Sequence, residues 1–182
     1  MQAFLYINTT LKNFMSTVLP FVIKHEFNVP RALLWKVQTQ AEHLQHWLSP
    51  EGFHTIHSEI DFREGGKYFY GIEGPNEIQM WGLQQFLEIV PEQKIVHLQS
   101  FSDKKGGLSR HPMAPNWPAF MHVTATYEDS SSDRTLYTLS WIPHDSDEIG
   151  RATFDAARSG MQAGFAGTFA KLDAYLIKLQ VK

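Results

Sequence analysis

The 182-residue sequence predicts an α+β fold in which a curved antiparallel sheet of about six or seven strands wraps around a long C-terminal helix. Two observations carry this prediction. Short alternating segments separated by turn residues fill the middle of the chain, which is typical of an antiparallel meander. The last forty residues instead place apolar side chains at helical spacing, which predicts a helix with one broad apolar stripe.

The beginning of the fold is predicted as one strand followed by two short helices. Pro30 changes the period of the apolar residues, and proline is well placed to open a helix. A second short helix is predicted over residues 41–47, ended by Ser49-Pro50-Glu51-Gly52. Before them, residues 20–29 alternate, with one face formed by Phe21, Ile23, His25, Phe27 and Val29.

Six further strands are predicted over residues 55–63, 67–74, 77–90, 94–102, 121–128 and 135–142. Turn residues such as Glu64-Gly65-Gly66 and Gly74-Pro75-Asn76 separate them. In the first of these strands, Ile56, Ile60 and Phe62 are expected to share the buried face. In the fifth strand of the sheet, alternation places His97 and Gln99 on one side with Ile95 and Phe101.

A long irregular connection is predicted between the fifth and sixth strands. Residues 103–118 contain three prolines and two glycines, which exclude a regular element. Connections of this length are either functional or mobile. Two interpretations stay open: His111 and Trp117 contact a ligand at the mouth of a cavity, or the prolines stiffen a surface crossing and Trp117 packs as a plug.

The final segment, from Asp145 to Leu179, is predicted as one long helix with glycines on a separate side. Gly160, Gly164 and Gly167 lie about 120° away from the centre of its apolar stripe. Each internal glycine costs about 1 kcal/mol relative to alanine. The favoured explanation is a helix bend or close packing of the short N-terminal helices against the glycine side, and room for a ligand is the alternative. The stripe itself, roughly 80° wide, holds Phe154, Met161, Phe165, Phe169, Leu172, Leu176 and Leu179.

Composition narrows the classes of function. The chain is 43% hydrophobic and 19% charged with a net charge of −3 and no basic patch, which argues against a nucleic-acid partner. It contains no cysteine, which excludes disulfides and thiol chemistry and fits a cytoplasmic protein. No apolar run approaches the roughly 20 residues of a membrane span, so no membrane insertion is expected. We expect an N-terminal extension over residues 1–16 and a single domain over 17–182.

An ordered set of motifs resembles a known family. It consists of Phe27-Asn28-Val29-Pro30, Pro50-Glu51-Gly52-Phe53, Asp61 to Gly66, Glu88-Ile89-Val90-Pro91 and Gly160-Met161 with Gly164-Phe165. Over residues 21–179 the chain resembles the START/Bet v 1-like (SRPBCC) superfamily, specifically the branch named for the C-terminal domain of the activator of Hsp90 ATPase (AHSA1-type). The resemblance implies a helix-grip fold. One departure is Phe165, where the family commonly has tryptophan.

The resemblance also implies a cavity between sheet and helix that is suited to an apolar or amphipathic small molecule. It places the side of the fifth strand that carries His97 toward this cavity. A binding protein without a cofactor is the leading hypothesis. The side chains expected to contact the ligand are Trp47, Phe69, Trp81, His97, Gln99, Phe101, His111, Trp117, Tyr127, Trp141, Met161, Phe165 and Phe169.

Two other functions are weighed. A cyclase-like or hydrolase-like enzyme would use His97 as general acid or base, because histidine titrates near neutral pH. A chaperone-interaction module follows from the family name alone. A metal site is not expected, because no carboxylate completes a site around His43 and His46 or around His54 and His57.

Overall fold

The computed structural model describes residues 19–181, and their architecture is the predicted α+β helix-grip fold. The expected extension over residues 1–16 lies outside the described residues. The strands are β1 (Phe21–Phe27), β2 (His54–Ile60), β3 (Lys67–Glu73), β4 (Gln79–Val90), β5 (Lys94–Ser102), β6 (Phe120–Ser131) and β7 (Arg134–His144). The helices are α1 (Arg31–Thr39), α2 (Ala41–Leu44), α3 (Glu148–Ala156) and α4 (Arg158–Gln180), with a 3₁₀ turn at Pro75–Glu77.

The seven strands form one open antiparallel sheet. Its order is β1-β7-β6-β5-β4-β3-β2, so β1 alone pairs with a strand distant in the chain. Antiparallel pairing is expected where consecutive strands are joined by short turns. Phe86, His97 and Val123 are register partners across β4, β5 and β6, so they share one face of the sheet. Phe86 and Val123 belong to the hydrophobic core, which identifies this face as the inner one.

Strand β2 departs from the predicted alternation near its start. Its register against β3 shifts between Thr55 and His57, which is the mark of a β-bulge. Ile60 and Phe62 pack against the core, whereas Ile56 is 38% exposed. The prediction that Ile56 shares their face is therefore wrong, because the extra residue of the bulge breaks the period of two.

The two short helices follow Pro30 as predicted and are tied to each other. Leu34 and Val37 on α1 are fully buried. After α2, the Trp47 indole donates from Nε1 to the carbonyl oxygen of Val37 over 3.0 Å. This bond satisfies a buried polar group and fixes the turn that leads out of α2.

The C-terminal segment is two helices, so the prediction of one continuous helix is wrong. Helix α3 begins after Asp147, whose carboxylate accepts a hydrogen bond from the Gly150 amide at 2.7 Å. The chain turns at Ala157, and the Arg158 guanidinium holds the corner by donating to the carbonyl of Pro20 at 3.2 Å. Because the two helices are separate, Phe154 on α3 is completely buried while α4 runs in a different direction. No helix that the structure describes is both long and apolar enough to cross a membrane.

Burial along α4 is uneven, and this unevenness positions the site. Phe169, Leu172 and Leu176 in the second half are at most 4% exposed. Met161 and Phe165 in the first half lie on the same apolar stripe but are only half-buried. The helix therefore packs tightly on the sheet at its C-terminal half and stands over open space at its N-terminal half.

Candidate ligand-binding site

The space between the sheet and α4 contains an inner chamber of about 300 Å³. Its walls come from the inner faces of β3 to β7, from the α1–α2 region and from α4. Side chains at its centre include Tyr68, Ile95, Val123, Tyr137 and Phe169. Aromatic and aliphatic groups therefore dominate the walls, and polar groups are few.

A more open outer chamber of about 620 Å³ adjoins the inner one. It lies between the 103–118 connection, the corner from α3 to α4 and the first turns of α4. Met121, Met161 and Trp117 line it. The residues that line both chambers, which we call the waist, are Pro50, Gln99, Phe101, His111, Trp141, Phe165 and Thr168.

None of the three glycines of α4 packs against a neighbouring element, and two of them face the outer chamber. Gly160 and Gly164 line the outer chamber. A Cβ added at either of them, or at Gly167, would meet no atom within 4 Å. The favoured interpretation of close packing is therefore wrong for these glycines, because no described element approaches them. Gly167 lines neither chamber.

The 103–118 connection docks on the rest of the domain through two aromatic contacts, one on β5 and one on α3. The His111 ring lies 4.6 Å from the Phe101 ring, centroid to centroid, in an edge-on arrangement. The Trp117 ring lies 5.8 Å from that of Phe154. At its start, the Asp103 carboxylate accepts bonds from the amides of Lys105 and Gly107 at 2.7 and 3.0 Å. His111 thus borders both chambers, and Trp117 lines the outer one while it packs on α3.

His97 is a buried, ionisable side chain in the wall of the inner chamber. It is 7% exposed, and neither Nδ1 nor Nε2 has a hydrogen-bond partner among the described residues. Burial is the main cause that lowers the pKa of this imidazole, to about 3. The nearby His122 lowers it further, and the adjacent Gln99 side chain opposes the shift, although its geometry does not complete a hydrogen bond to either ring nitrogen. His97 is therefore neutral at physiological pH and carries one N–H donor and one acceptor nitrogen.

Two other buried groups in the chamber walls lack partners among the described residues. The Tyr127 hydroxyl donates to Oε1 of Gln38 at 2.9 Å, which leaves Gln38 Nε2 unpaired. Trp141 Nε1 is also unpaired, although the Trp141 ring packs edge-on against Phe165 at 5.2 Å. In contrast, Gln99 Nε2 donates to the Tyr70 hydroxyl at 3.0 Å.

Comparison with known proteins identifies the family to which this architecture belongs. Residues 28–177 match the family model described as activator of Hsp90 ATPase homolog 1-like protein (AHSA1). The chain belongs to the AHSA1 family. The match runs from the end of β1 to the last turn of α4, so it includes both chambers of the AHSA1 domain. No curated protein matches the chain.

Solved structures of similar proteins support the AHSA1 fold. A protein from Nitrosomonas europaea is 21% identical with a TM-score of 0.70, and the alignment covers 91% of this chain and 99% of that chain. A protein from Arthrobacter aurescens is 24% identical with a TM-score of 0.73, covering 88% and 87%. The AHSA1 protein from Silicibacter pomeroyi is 18% identical with a TM-score of 0.64, covering 87% and 98%. At these identities the likeness establishes the fold alone.

Most of the predicted contact residues lie around the chambers of the AHSA1 domain. Trp47, His97, Tyr127 and Phe169 line the inner chamber, and Trp117 and Met161 line the outer one. The other five that meet the chambers with their side chains belong to the waist: Gln99, Phe101, His111, Trp141 and Phe165.

Phe69 and Trp81 are placed differently from the prediction. Phe69 pairs with Leu83 and lines neither chamber. Trp81 borders the inner chamber, but its ring lies on the outer face of the sheet, stacked on Phe69 at 5.3 Å. A Cβ on its register partner Gly71 would come within 2.7 Å of that ring. The two rings therefore form an outer-face cluster, because the inner face of β3 carries the neighbouring tyrosines instead.

Several lining residues escaped the sequence reasoning. Tyr68 and Tyr70 line the inner chamber on either side of Phe69, and Gln38 reaches it from α1. Burial raises the pKa of Tyr68 to about 12, so its hydroxyl stays protonated. Alternation alone would have grouped the two tyrosines correctly had the face of β3 been known.

Three of the four histidines for which a metal site was not expected contact aromatic side chains. His43 Nδ1 is 2.7 Å from the Tyr175 hydroxyl, and His46 stacks on the same ring at 5.0 Å. His57 packs on Phe69 at the outer face. Across residues 19–181, no cluster of three or more histidine, aspartate or glutamate side chains is arranged to hold a metal ion.

Replacing His97 with leucine is expected to make the AHSA1 domain more resistant to acid. Folding lowers the pKa of His97 from 6.5 to about 3, so between these values the unfolded chain binds a proton that the folded chain does not. The contribution of His97 to the free energy of unfolding therefore falls by about 1.4 kcal/mol per pH unit as the pH drops below 6.5. Leucine removes this dependence.

Urea unfolding at pH 7.5 and pH 5.0 measures the effect. The wild type should lose about 2 kcal/mol more than His97→Leu over this interval. An equal loss in both proteins would show that His97 is protonated in the folded state.

Proposed function

We propose that this AHSA1-family chain binds an apolar or amphipathic small molecule between its sheet and α4. The observation that carries the proposal is the pair of adjoining chambers of about 300 and about 620 Å³. Small-molecule sites have volumes of roughly 300–1,000 Å³ and combine apolar walls with a few polar groups that fix orientation. Both properties are met here.

The waist supports a single elongated ligand that occupies both chambers. Phe101, Trp141 and Phe165 contribute aromatic surface at the point where the chambers meet. Aromatic rings bury large areas at small entropic cost, which makes them efficient contacts for an apolar body. The half-buried state of Phe165 leaves ring surface available for such a contact.

The test is direct binding by purified protein. Nile red, an uncharged fluorescent dye, should show saturable fluorescence enhancement, and native mass spectrometry should detect a one-to-one complex. Excess of an uncharged competitor such as 2-decanone should displace the dye. If the dye binds without saturation and no complex survives in the mass spectrum, the binding proposal fails.

Binding is favoured over catalysis by the state of His97. Its side chain faces the inner chamber, as the enzyme hypothesis requires. With a pKa of about 3, however, the imidazolium form that would act as general acid is almost unpopulated at neutral pH, and the neutral imidazole is a weak base. Efficient general acid–base catalysis needs a pKa near the working pH.

A chaperone-directed role rests on the family description, which names an activator of the Hsp90 ATPase. It is tested by adding the purified protein to an Hsp90 ATPase assay. Stimulation of ATP turnover, absent with heat-denatured protein, would support this role. An unchanged rate together with no co-precipitation of Hsp90 would remove it.

A further inference from the structure

Resting on the function proposed above, we propose that the ligand is an uncharged molecule with a hydrogen-bond acceptor at one end, such as a ketone, ester or ether oxygen. Its acceptor end lies in the inner chamber, and its apolar body extends through the waist into the outer chamber. Carboxylates and amines of the same shape are excluded by the chemistry of the walls.

The charge of the walls carries the first step. Among the described residues that line the two chambers, none is Asp, Glu, Lys or Arg. A charged group that leaves water for such an environment loses its hydration and gains no opposite charge, which costs far more than burial of a neutral polar group. The chambers therefore select against both anions and cations.

The unpaired polar atoms carry the second step. Gln38 Nε2 and Trp141 Nε1 are buried and have no partner in residues 19–181. Both groups only donate hydrogen bonds. His97 adds one donor and one acceptor, so the unpaired set holds three groups that donate and only one that accepts. A ligand that matches this set must bring acceptor atoms.

Three polar atoms beside this set are engaged in hydrogen bonds of their own. Gln38 Oε1 accepts from Tyr127, and Gln99 Nε2 donates to Tyr70. The Thr168 hydroxyl donates to the Gly164 carbonyl at 3.1 Å. An unpaired buried donor destabilises the ligand-free protein. Such groups in a cavity wall call for an explanation, and an acceptor on the ligand supplies one.

The positions of the unpaired groups give the orientation. His97 and Gln38 line the inner chamber alone, whereas Trp141 stands at the waist. The outer chamber adds apolar groups such as Met161, Ala156 and Ala157. The donor groups of the inner chamber thus match the acceptor end of the ligand, and the apolar groups of the outer chamber match its apolar end.

The experiment compares three ten-carbon probes by isothermal titration calorimetry at pH 7.5: 2-decanone, decanoate and decylammonium. The ketone should bind at least about tenfold more tightly than either charged probe. Binding of decanoate or decylammonium within about threefold of the ketone overturns the inference, while the proposed function stands. If no probe binds, both the inference and the proposed function fail.

A matched pair of variants tests the contact itself. His97→Leu should bind 2-decanone about three- to tenfold more weakly, the loss expected for one neutral hydrogen bond. His122→Leu changes a histidine that lines neither chamber and should bind like the wild type. The ligand-free His97→Leu protein should also melt at the same or a higher temperature, because two unpaired polar atoms are removed. A purely structural His97 would instead lower the melting temperature and leave the affinity unchanged.

Trp141→Phe provides a second variant should His97→Leu fold poorly. It removes the indole N–H but retains an aromatic ring at the waist. A weaker affinity for 2-decanone, with little change for a purely apolar dye, supports the inference. Equal affinity for 2-decanone in the wild type, Trp141→Phe and His97→Leu overturns it.

Discussion

The double variant Gly160→Leu/Gly164→Leu is expected to bind Nile red at least about tenfold more weakly than the wild type and yet to be more stable. Both glycines line the outer chamber, and they lie four residues apart on one side of α4. Two leucine side chains there would occupy space that the ligand needs. The loss corresponds to about 1.4 kcal/mol of binding free energy.

The gain in stability has a separate cause. Glycine in a helix interior is about 0.8–1 kcal/mol less favourable than alanine, and leucine is close to alanine. Because an added Cβ at these positions meets nothing within 4 Å, the backbone site itself accepts a side chain without a clash. Urea unfolding should therefore show an increase of about 0.5–1 kcal/mol for each substitution.

Gly167→Leu is the matched control. Gly167 lies on the same helix, its added Cβ would also be free of contacts, and it lines neither chamber. It should gain stability and keep the wild-type affinity. Equal affinities in all three proteins would mean that the glycine side of α4 plays no part in binding.

The sequence allowed the fold to be predicted because its signals are local. Alternation and turn residues mark each strand, and the apolar stripe marks α4. The break at Ala157 escaped prediction because the stripe continues from Phe154 to Met161 without a change of period. The contacts that hold the corner come from the carbonyl of Pro20, which is distant in the chain.

The site was less predictable because it depends on which face of each strand turns inward. Strand β3 carries aromatic residues at Tyr68, Phe69 and Tyr70, so alternation alone leaves its inner face undecided. For α4, helical periodicity predicts a direction for the glycines relative to the apolar stripe. The angle gives a direction relative to the apolar stripe, however, and says nothing about whether a neighbour or a cavity lies there.

Alanine substitutions at two phenylalanines of α4 are expected to separate stability from binding. Phe169 is 4% exposed and packs edge-on against Phe27 and Tyr137, each at 5.8 Å between ring centres. Phe169→Ala should lower the free energy of unfolding by about 3–5 kcal/mol, since it leaves a cavity in a close-packed region. A loss of this size can approach the whole stability of a domain.

Phe165→Ala should lose less stability than Phe169→Ala but should bind the dye more weakly than the wild type. Phe165 is half-buried at the waist, where its ring packs against Trp141 and Phe21 at 5.2 and 5.8 Å. Because the chambers already leave part of this ring without neighbours, its removal should cost only about 1–2 kcal/mol of stability. The affinity for Nile red should fall about three- to tenfold, as expected for one aromatic contact.

Urea unfolding measures the stability of both variants, and dye titration measures their affinity for Nile red. The titration of Phe169→Ala is done without urea and at low temperature, so that this variant stays folded. Stability losses of equal size would mean that α4 packs uniformly along its length. The uneven burial of its apolar stripe predicts otherwise, because the residues that hold α4 on the sheet and the residues that cover the waist lie in different halves of the same helix. Such a result would assign most of the packing of α4 on the sheet to its second half and the cover of the waist to its first half.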